Sequence, residues 1–334
     1  MSREPILSVE GLRVVIPSAR GVVEAVDGVS FSVAPREIVG IVGESGCGKS
    51  MLALSIMRLV PEPGEIVAGR IALAGRDLLG LSERDMRKVR GSEIGMIFQD
   101  PSASLNPVMR VGRQIEETIE AHSGARGSAT RDRAVEMLRA VRIPEPGARA
   151  RDYPHQYSGG MRQRVVIAIG TANRPNLLIA DEPTTALDVT VQAQIMDLLR
   201  AMNEENGTAI ILITHNIALV SRFCARVLVM YAGRIVESGP TADVFARPSH
   251  PYTAALLRAV PRVEARAREG LTAIEGRPPD LARKPSGCAY HPRCGLKDDI
   301  CVKEAPPAFG VAAGRIACCW AAEPGVTWKE SAPS

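Results

Sequence analysis

Short, unbroken apolar runs set the frame of this chain. Glu37-Ile-Val-Gly-Ile-Val42, Asn176-Leu-Leu-Ile-Ala180 and Thr208-Ala-Ile-Ile-Leu-Ile213 are each brief and continuous, which predicts strands buried on both faces, as in a parallel sheet. Between two of them, Val191, Ile195, Leu198, Leu199 and Met202 keep helical spacing, and Gly207 is placed to close that helix. Met51 to Leu59 reads as another helix. Pro61–Gly64, Pro144–Gly147 and Gly276–Asp280 read as turns or linkers, the last as a boundary. The chain shows no internal repeat, no low-complexity tract and no sustained heptad run. The pattern predicts an α/β fold.

The first apolar run leads into Gly43-Glu-Ser-Gly-Cys-Gly-Lys-Ser50, which fits G-x-x-x-x-G-K-[ST] and is followed by the Met51 helix. Strand, glycine-rich turn and helix form the context that a phosphate-binding loop requires. Backbone N–H groups of such a turn face one anion, and the helix N-terminus adds partial positive charge. Lys49 is the candidate for the β- and γ-phosphates, and the Ser50 hydroxyl for Mg²⁺. Cys47, beside Lys49 at a helix N-terminus, is a candidate for a lowered thiol pKa, or simply a small residue in a free slot.

Composition narrows the class. The 334 residues are 46% hydrophobic and 23% charged, ordinary for a globular chain. No segment approaches the roughly 18 apolar residues of a membrane span, and the first residues lack a signal-peptide core, so a cytoplasmic chain is expected. A net charge of +4 without a basic block, and 4% aromatics, argue against a nucleic-acid partner. Of seven cysteines, Cys288, Cys294, Cys301, Cys318 and Cys319 crowd the C-terminal region. In a chain expected to be cytosolic, this suggests metal before disulfide.

The second buried run ends in Asp181-Glu182-Pro183. Asp181 is the candidate Mg²⁺ ligand and Glu182 the candidate general base. His215, ending the third run, is placed for a γ-phosphate contact. The order Gly43–Ser50, Gln99, Tyr157-Ser-Gly-Gly-Met-Arg-Gln163, Leu177–Glu182, Ala186-Leu-Asp188 and His215 resembles an ABC-transporter ATPase subunit, and Ser158–Gln163 is similar to that family's signature motif. The resemblance implies a phosphate-loop ATPase core (residues 1–245) with an antiparallel β edge and an inserted helical subdomain at about 100–168, followed by a C-terminal region (246–334). It implies catalytic roles for Glu182, His215 and Gln99, with Mg²⁺ held by Ser50, Gln99 and Asp181. ATP contacts would come from Gly43, Glu44, Ser45, Gly46, Cys47, Gly48, Lys49, Ser50 and Met51. Ser158, Gly159, Gly160 and Gln163 would cap the nucleotide of a second ATPase subunit, with Asp188 communicating across the dimer. The family's adenine-stacking aromatic is missing from Leu12–Pro17; Ile16 stands at that position and offers only apolar contact.

Gly91–Pro107, His250-Pro-Tyr-Thr-Ala-Ala-Leu-Leu257 and Gly287-Cys-Ala-Tyr-His-Pro-Arg-Cys294 look like the oligopeptide/dipeptide (and nickel) importer branch. That branch implies two integral-membrane permease subunits, an unlike second ATPase subunit, an extracytoplasmic solute-binding protein and a place on the cytoplasmic face of the cell membrane. The rival class is a soluble, non-transport ABC-type ATPase acting on ribosomes or nucleic acid. Cys288, Cys294, Cys301 and Cys318 offer four thiolates, with Cys319 a fifth and His291 a substitute. Spacing alone does not separate zinc from a cubane cluster, and unligated thiols are a further alternative; the branch resemblance implies [4Fe–4S]. Nothing in the sequence places this lobe near the phosphate loop, and His250-Pro-Tyr252 reads only as a turn into a helix.

Overall fold

The computed structural model describes residues 4–185, 187–260 and 274–322. In chain order the elements are β1 (Leu7–Ser18), β2 (Gly21–Val33), β3 (Ile38–Val42), α1 (Lys49–Ile56), β4 (Glu65–Leu73), β5 (Arg76–Asp77), α2 (Glu83–Val89) and β6 (Ile94–Ile97). There follow α3 (Pro101–Ser104), α4 (Val111–Ser123), α5 (Ser128–Ala140), α6 (Pro146–Arg149), α7 (Gly159–Thr171), β7 (Leu177–Asp181), α8 (Val189–Asn206) and β8 (Ala209–Ile213). The remainder comprises α9 (Ile217–Phe223), β9 (Arg226–Tyr231), β10 (Arg234–Pro240), α10 (Thr241–Ala246), α11 (Pro251–Arg258), α12 (Asp299–Lys303), β11 (Phe309–Val311) and β12 (Arg315–Ala317). Two compact units result: one from the N-terminus through Leu7, Ser32–Ile38 and Ala72–Ile213, the other from Ser8–Phe31, Val39–Ile71 and Thr214 onward.

In the first unit β6, β7 and β8 run parallel, in register Ile179 with Met96 and with Ile211. Every residue of β7 and β8 is buried, as expected of strands covered on both faces. The helices α3 to α7 lie between β6 and β7 in sequence, where the inserted helical segment was expected. Val111, Ile115 and Ile119, four residues apart along α4, form its buried stripe. The spacing read for α8 is observed: Ile195, Leu198, Leu199 and Met202 are buried, Val191 is half-buried, and Gly207 at φ 73° ends the helix. Pro144–Gly147 is not a plain turn, because Pro146 starts the one-turn helix α6, a first-turn position that costs no hydrogen bond.

In the second unit β3 runs parallel to β9, and β9, β10, β12 and β11 continue antiparallel. A separate sheet sets β1 between β2 and β4. Val9, Leu12 and Val14 of β1 point to its core. α1 stops at Ile56, three residues short of the run expected from hydrophobicity, because the Leu59 N–H donates to the Leu54 carbonyl and the turn opens. The unit runs through Gly276–Asp280 without a break. Among the described residues no helix is long and apolar enough to cross a membrane.

Candidate nucleotide site

The phosphate-loop half lies in the second unit. β3 delivers the chain at Val42, and Gly43–Gly48 turns it into α1. A side chain at Gly43 would collide with the Met230 carbonyl oxygen; at Gly48, φ 104°, it would meet the Ala25 carbonyl. Only glycine lets the loop sit this close to its neighbours. Lys49 is 6% exposed, and its Nζ donates to the carbonyls of Gly43 (2.7 Å) and Glu44 (2.9 Å). Gly48 caps α1 without a side-chain acceptor, and no acidic residue occupies its first turn, so loop amides and the helix end favour an anion. Ser45 and Gly46 are exposed, while Ser50 and Met51 are half-buried. Ile16 is half-buried beside the Pro61–Gly64 turn. His215 is exposed just beyond Thr214, whose N–H donates to the Ile41 carbonyl.

Cys47 departs from expectation. It is 5% exposed, and burial pushes its thiol above the ordinary value; Lys49, with Nζ 3.7 Å from the sulfur, pulls the other way and loses. Desolvation disfavours the thiolate more than one neighbouring cation favours it.

The carboxylate half lies in the first unit. β7 ends in Asp181, which is 5% exposed. Glu182 follows at φ 47°, its N–H donating to the Ile213 carbonyl at 2.9 Å. This left-handed turn is sparsely populated by non-glycine residues. Glu182 Oε2 accepts from Thr185 Oγ1 (2.7 Å) and Gln99 Nε2 (3.3 Å), so Gln99 and Glu182, 83 positions apart, are neighbours. The signature segment forms the start of α7. The Ser158 hydroxyl caps the helix by accepting from the Met161 N–H at 3.3 Å. Ser158 and Gly159 are exposed, and a side chain at Gly159 would meet nothing within 4 Å. Gly160 abuts Val191. Gln163 corrects the expectation: at 2% exposure it belongs to the interior of the unit. Asp188 is exposed and caps α8, accepting from the Val191 N–H at 2.9 Å. Ala186, in the same motif, lies outside the described residues.

The cysteine region belongs to the second unit. Cys288, Cys294, Cys301, Cys318 and Cys319 are part-exposed free thiols. They are neighbours: burial, then charge on Cys288, Cys294 and Cys301, pushes the Cys319 thiol up to about 12. Yet among the described residues no group of three or more His, Cys, Asp or Glu side chains is placed to hold a metal ion. The observed rotamers therefore do not form the four-thiolate set expected from sequence. His291 Nδ1 instead meets the Cys288 carbonyl at 3.0 Å. A cavity of about 240 Å³ opens on Cys288 and Cys318, with Asp27, Arg234, Lys284 and Tyr290 in its wall.

Two residues with no assigned chemistry reach the phosphate loop. Arg293 pairs with both oxygens of Glu44, at 2.6 and 3.0 Å across 249 positions. The Tyr252 hydroxyl accepts from the Glu44 N–H at 2.8 Å. No sequence periodicity could have announced either contact. The lobe thus adjoins the phosphate loop, a proximity with no local sign in the chain.

A parallel α/β core with this glycine-bound lysine loop and a paired glutamine–glutamate turn defines a phosphate-loop ATPase. The ABC transporter family model matches residues 26–185, and the model of the oligopeptide/dipeptide transporter C-terminal region matches residues 236–301. A Brucella abortus (strain 2308) protein named as a peptide import ATP-binding protein is 48% identical over 94% of each chain. A Sinorhizobium fredii protein named as a peptide ABC transporter ATP-binding protein is likewise 48% identical over 94% of each. Among solved structures, the ATP-binding cassette MJ0796 in a dimeric post-hydrolysis state with ADP and Pi is similar at a TM-score of 0.64 and 29% identity, covering 70% of this chain and 98% of that one. Clostridium perfringens cbiO1, part of an ABC transporter complex, gives 0.63 and 30%, covering 73% and 92%. The chain belongs to the ATP-binding subunits of the ABC transporter family. It is an ATPase, with ATP and Mg²⁺ as the substrate and ion expected of that family.

Proposed function

We propose that this ATPase powers import of di- or oligopeptides through separate membrane subunits, on the cytoplasmic face of the cell membrane. The match of residues 236–301 to the oligopeptide/dipeptide transporter C-terminal region carries this reading, and the names of the relatives support it. Two permease subunits, an unlike second ATPase subunit and an extracytoplasmic solute-binding protein complete the assembly. Residues 1–245 form the ATPase module and 246–334 the branch-specific region, of which 261–273 and 323–334 lie outside the described residues.

Lys49 and the loop amides bind the phosphates, and Ser50, Gln99 and Asp181 are the residues to hold the Mg²⁺. Glu182 is the general base, steadied by Thr185 Oγ1 and Gln99 Nε2. His215 reads the γ-phosphate, and Ile16 gives the base only apolar contact. Ser158 and Gly159 present an exposed helix start to the partner's nucleotide, with Gly160 following and Asp188 communicating across the dimer. When bound, Mg²⁺ supplies charge neutralisation on the phosphates; positioning falls to the residues named.

The cysteine lobe is proposed to take up [4Fe–4S], or zinc, at Cys288, Cys294, Cys301 and Cys318 after side-chain rearrangement; four free, part-exposed thiols in one region support the reading. Iron, sulfide and zinc analysis of anaerobically purified protein tests it, and protein without any of them speaks against it.

For transport, labelled dipeptide uptake is followed in cells lacking this chain. Wild type restores uptake; Lys49→Ala does not, because it loses ATP binding; Glu182→Gln binds ATP but neither hydrolyses it nor restores uptake. Undiminished peptide uptake in the deletion strain would remove the peptide reading and leave the ATPase intact.

A further inference from the structure

Glu44 is an unfavourable residue to place in a loop that must accept several negative charges. Among the described residues its carboxylate pairs with one cationic side chain, Arg293. The Arg293 side chain is 4% exposed, and its Nη1 and Nη2 donate to the two carboxylate oxygens of Glu44. It is itself held in place: Nε donates to the Glu275 carbonyl at 2.8 Å, Nη1 reaches the Tyr231 hydroxyl at 3.3 Å, and the guanidinium lies 5.9 Å from the centres of the Tyr231 and Tyr290 rings. Such a planar, two-pronged pair on aromatic faces is a geometry lysine cannot copy. The same glutamate is held at its N–H by Tyr252 and at its carbonyl by Lys49. Glu44 is therefore fixed at three points, two of them supplied by the chain beyond residue 250.

We propose that Arg293 is a positioning residue for nucleotide: it neutralises and orients Glu44, and so sets how strongly the phosphate loop holds polyphosphate. Arg293 precedes Cys294 directly. Displacement of that thiol segment, by whatever chemistry the lobe undergoes, shifts the guanidinium and with it the charge presented to ATP. The inference rests on the ATPase reading and adds a control point to it. It needs no contact between Arg293 and the nucleotide.

The test is calorimetric binding of MgATP, MgADP and adenosine to the full chain, comparing wild type, Arg293→Gln, Arg293→Lys and the double variant Arg293→Gln/Glu44→Gln. Uncovering one carboxylate beside the phosphates is expected to weaken MgATP about tenfold. MgADP weakens less, and adenosine is unaffected, because the penalty scales with ligand charge. The double variant, with no carboxylate left uncovered, recovers to within about threefold of wild type. Arg293→Lys, which keeps the charge and loses the fork, falls between; it carries the test if Arg293→Gln does not fold. An unchanged MgATP affinity in Arg293→Gln would overturn the proposal. So would an equal loss for all three ligands that the double variant fails to repair, which would mark Arg293 as scaffolding only. Wild-type protein that binds MgATP no better than Lys49→Ala would sink the nucleotide-site reading itself, a separate outcome.

Discussion

Arg315→Met tests the balance of charge inside the second unit. Glu237 on β10 is 1% exposed and Arg315 on β12 is 6% exposed, with Nη1 and Oε1 3.7 Å apart. Glu237 also accepts from the Ser249 and His250 N–H groups at 2.7 and 2.9 Å. Arg315 donates to the Ala312 and Arg247 carbonyls and to Ser249 Oγ. At this separation the Coulomb attraction is about 4 kcal/mol for an effective dielectric near 20. Removing one partner of a buried pair typically costs about 3–5 kcal/mol, because the remaining charge stays buried. Methionine keeps the stem that packs against Gly239, so charge is the main loss.

The pH dependence isolates that charge. Burial, the largest influence, raises the Glu237 pKa above its ordinary 4.5, while its hydrogen bonds and Arg315 oppose the rise. The folded state therefore holds this proton more tightly than the unfolded chain. Its stabilising effect is complete below pH 4.5 and is lost as pH climbs through the folded-state pKa. Without Arg315 the folded-state pKa rises further, so the variant's deficit is greatest at neutral pH and closes towards pH 4.5. Denaturant unfolding of the full chain followed by tryptophan fluorescence reports this region through Trp320, three residues beyond β12. The expected loss is about 3–5 kcal/mol at pH 7.5, mostly restored by adding Glu237→Gln. A loss below about 1 kcal/mol, or one identical at both pH values, would refute the charge argument and leave only packing.

Two further outcomes follow from burial. Ile179→Ala, at the fully buried centre of β7, should cost about 2–5 kcal/mol in denaturant unfolding, and a cost under 1 kcal/mol would mean the strand is less tightly covered than described. Cys47 is 5% exposed, and burial pushes its thiol above the ordinary value; mass-spectrometric footprinting with iodoacetamide should find it among the slowest cysteines, and rapid neutral-pH labelling would contradict the buried placement.

What could be read from the chain beforehand was whatever depends on local pattern. The β3, β7 and β8 runs are continuous because both strand faces are covered, and the α8 stripe repeats because one helix face is. Both leave a one-dimensional trace. The phosphate loop is equally local, its glycines demanded by backbone neighbours. Cys47 misled because its local context, Lys49 and a helix start, favours the thiolate, while the deciding influence is three-dimensional enclosure. Gln163 misled similarly: a motif names a residue without saying which way its helix turns it. Arg293 was silent because its partner lies 249 positions away, and an arginine beside a cysteine has no periodic signature.

The outermost strands of the second unit have a bearing on how the protein can be shortened. β12 covers the open side of β10, and β11, only three residues long with Gly310 at its centre, ends the sheet. A brief final strand offers little for a stray chain to pair with. Shortening the protein to end at residue 301, where the match to the transporter C-terminal region stops, would strip both strands away. The seven-residue β10 would then become the border, with the Glu237 carboxylate deprived of Arg315. Expression work on a minimal cassette should therefore keep the chain through Ala317, or expect sticky, self-associating material whose failure says nothing about ATP.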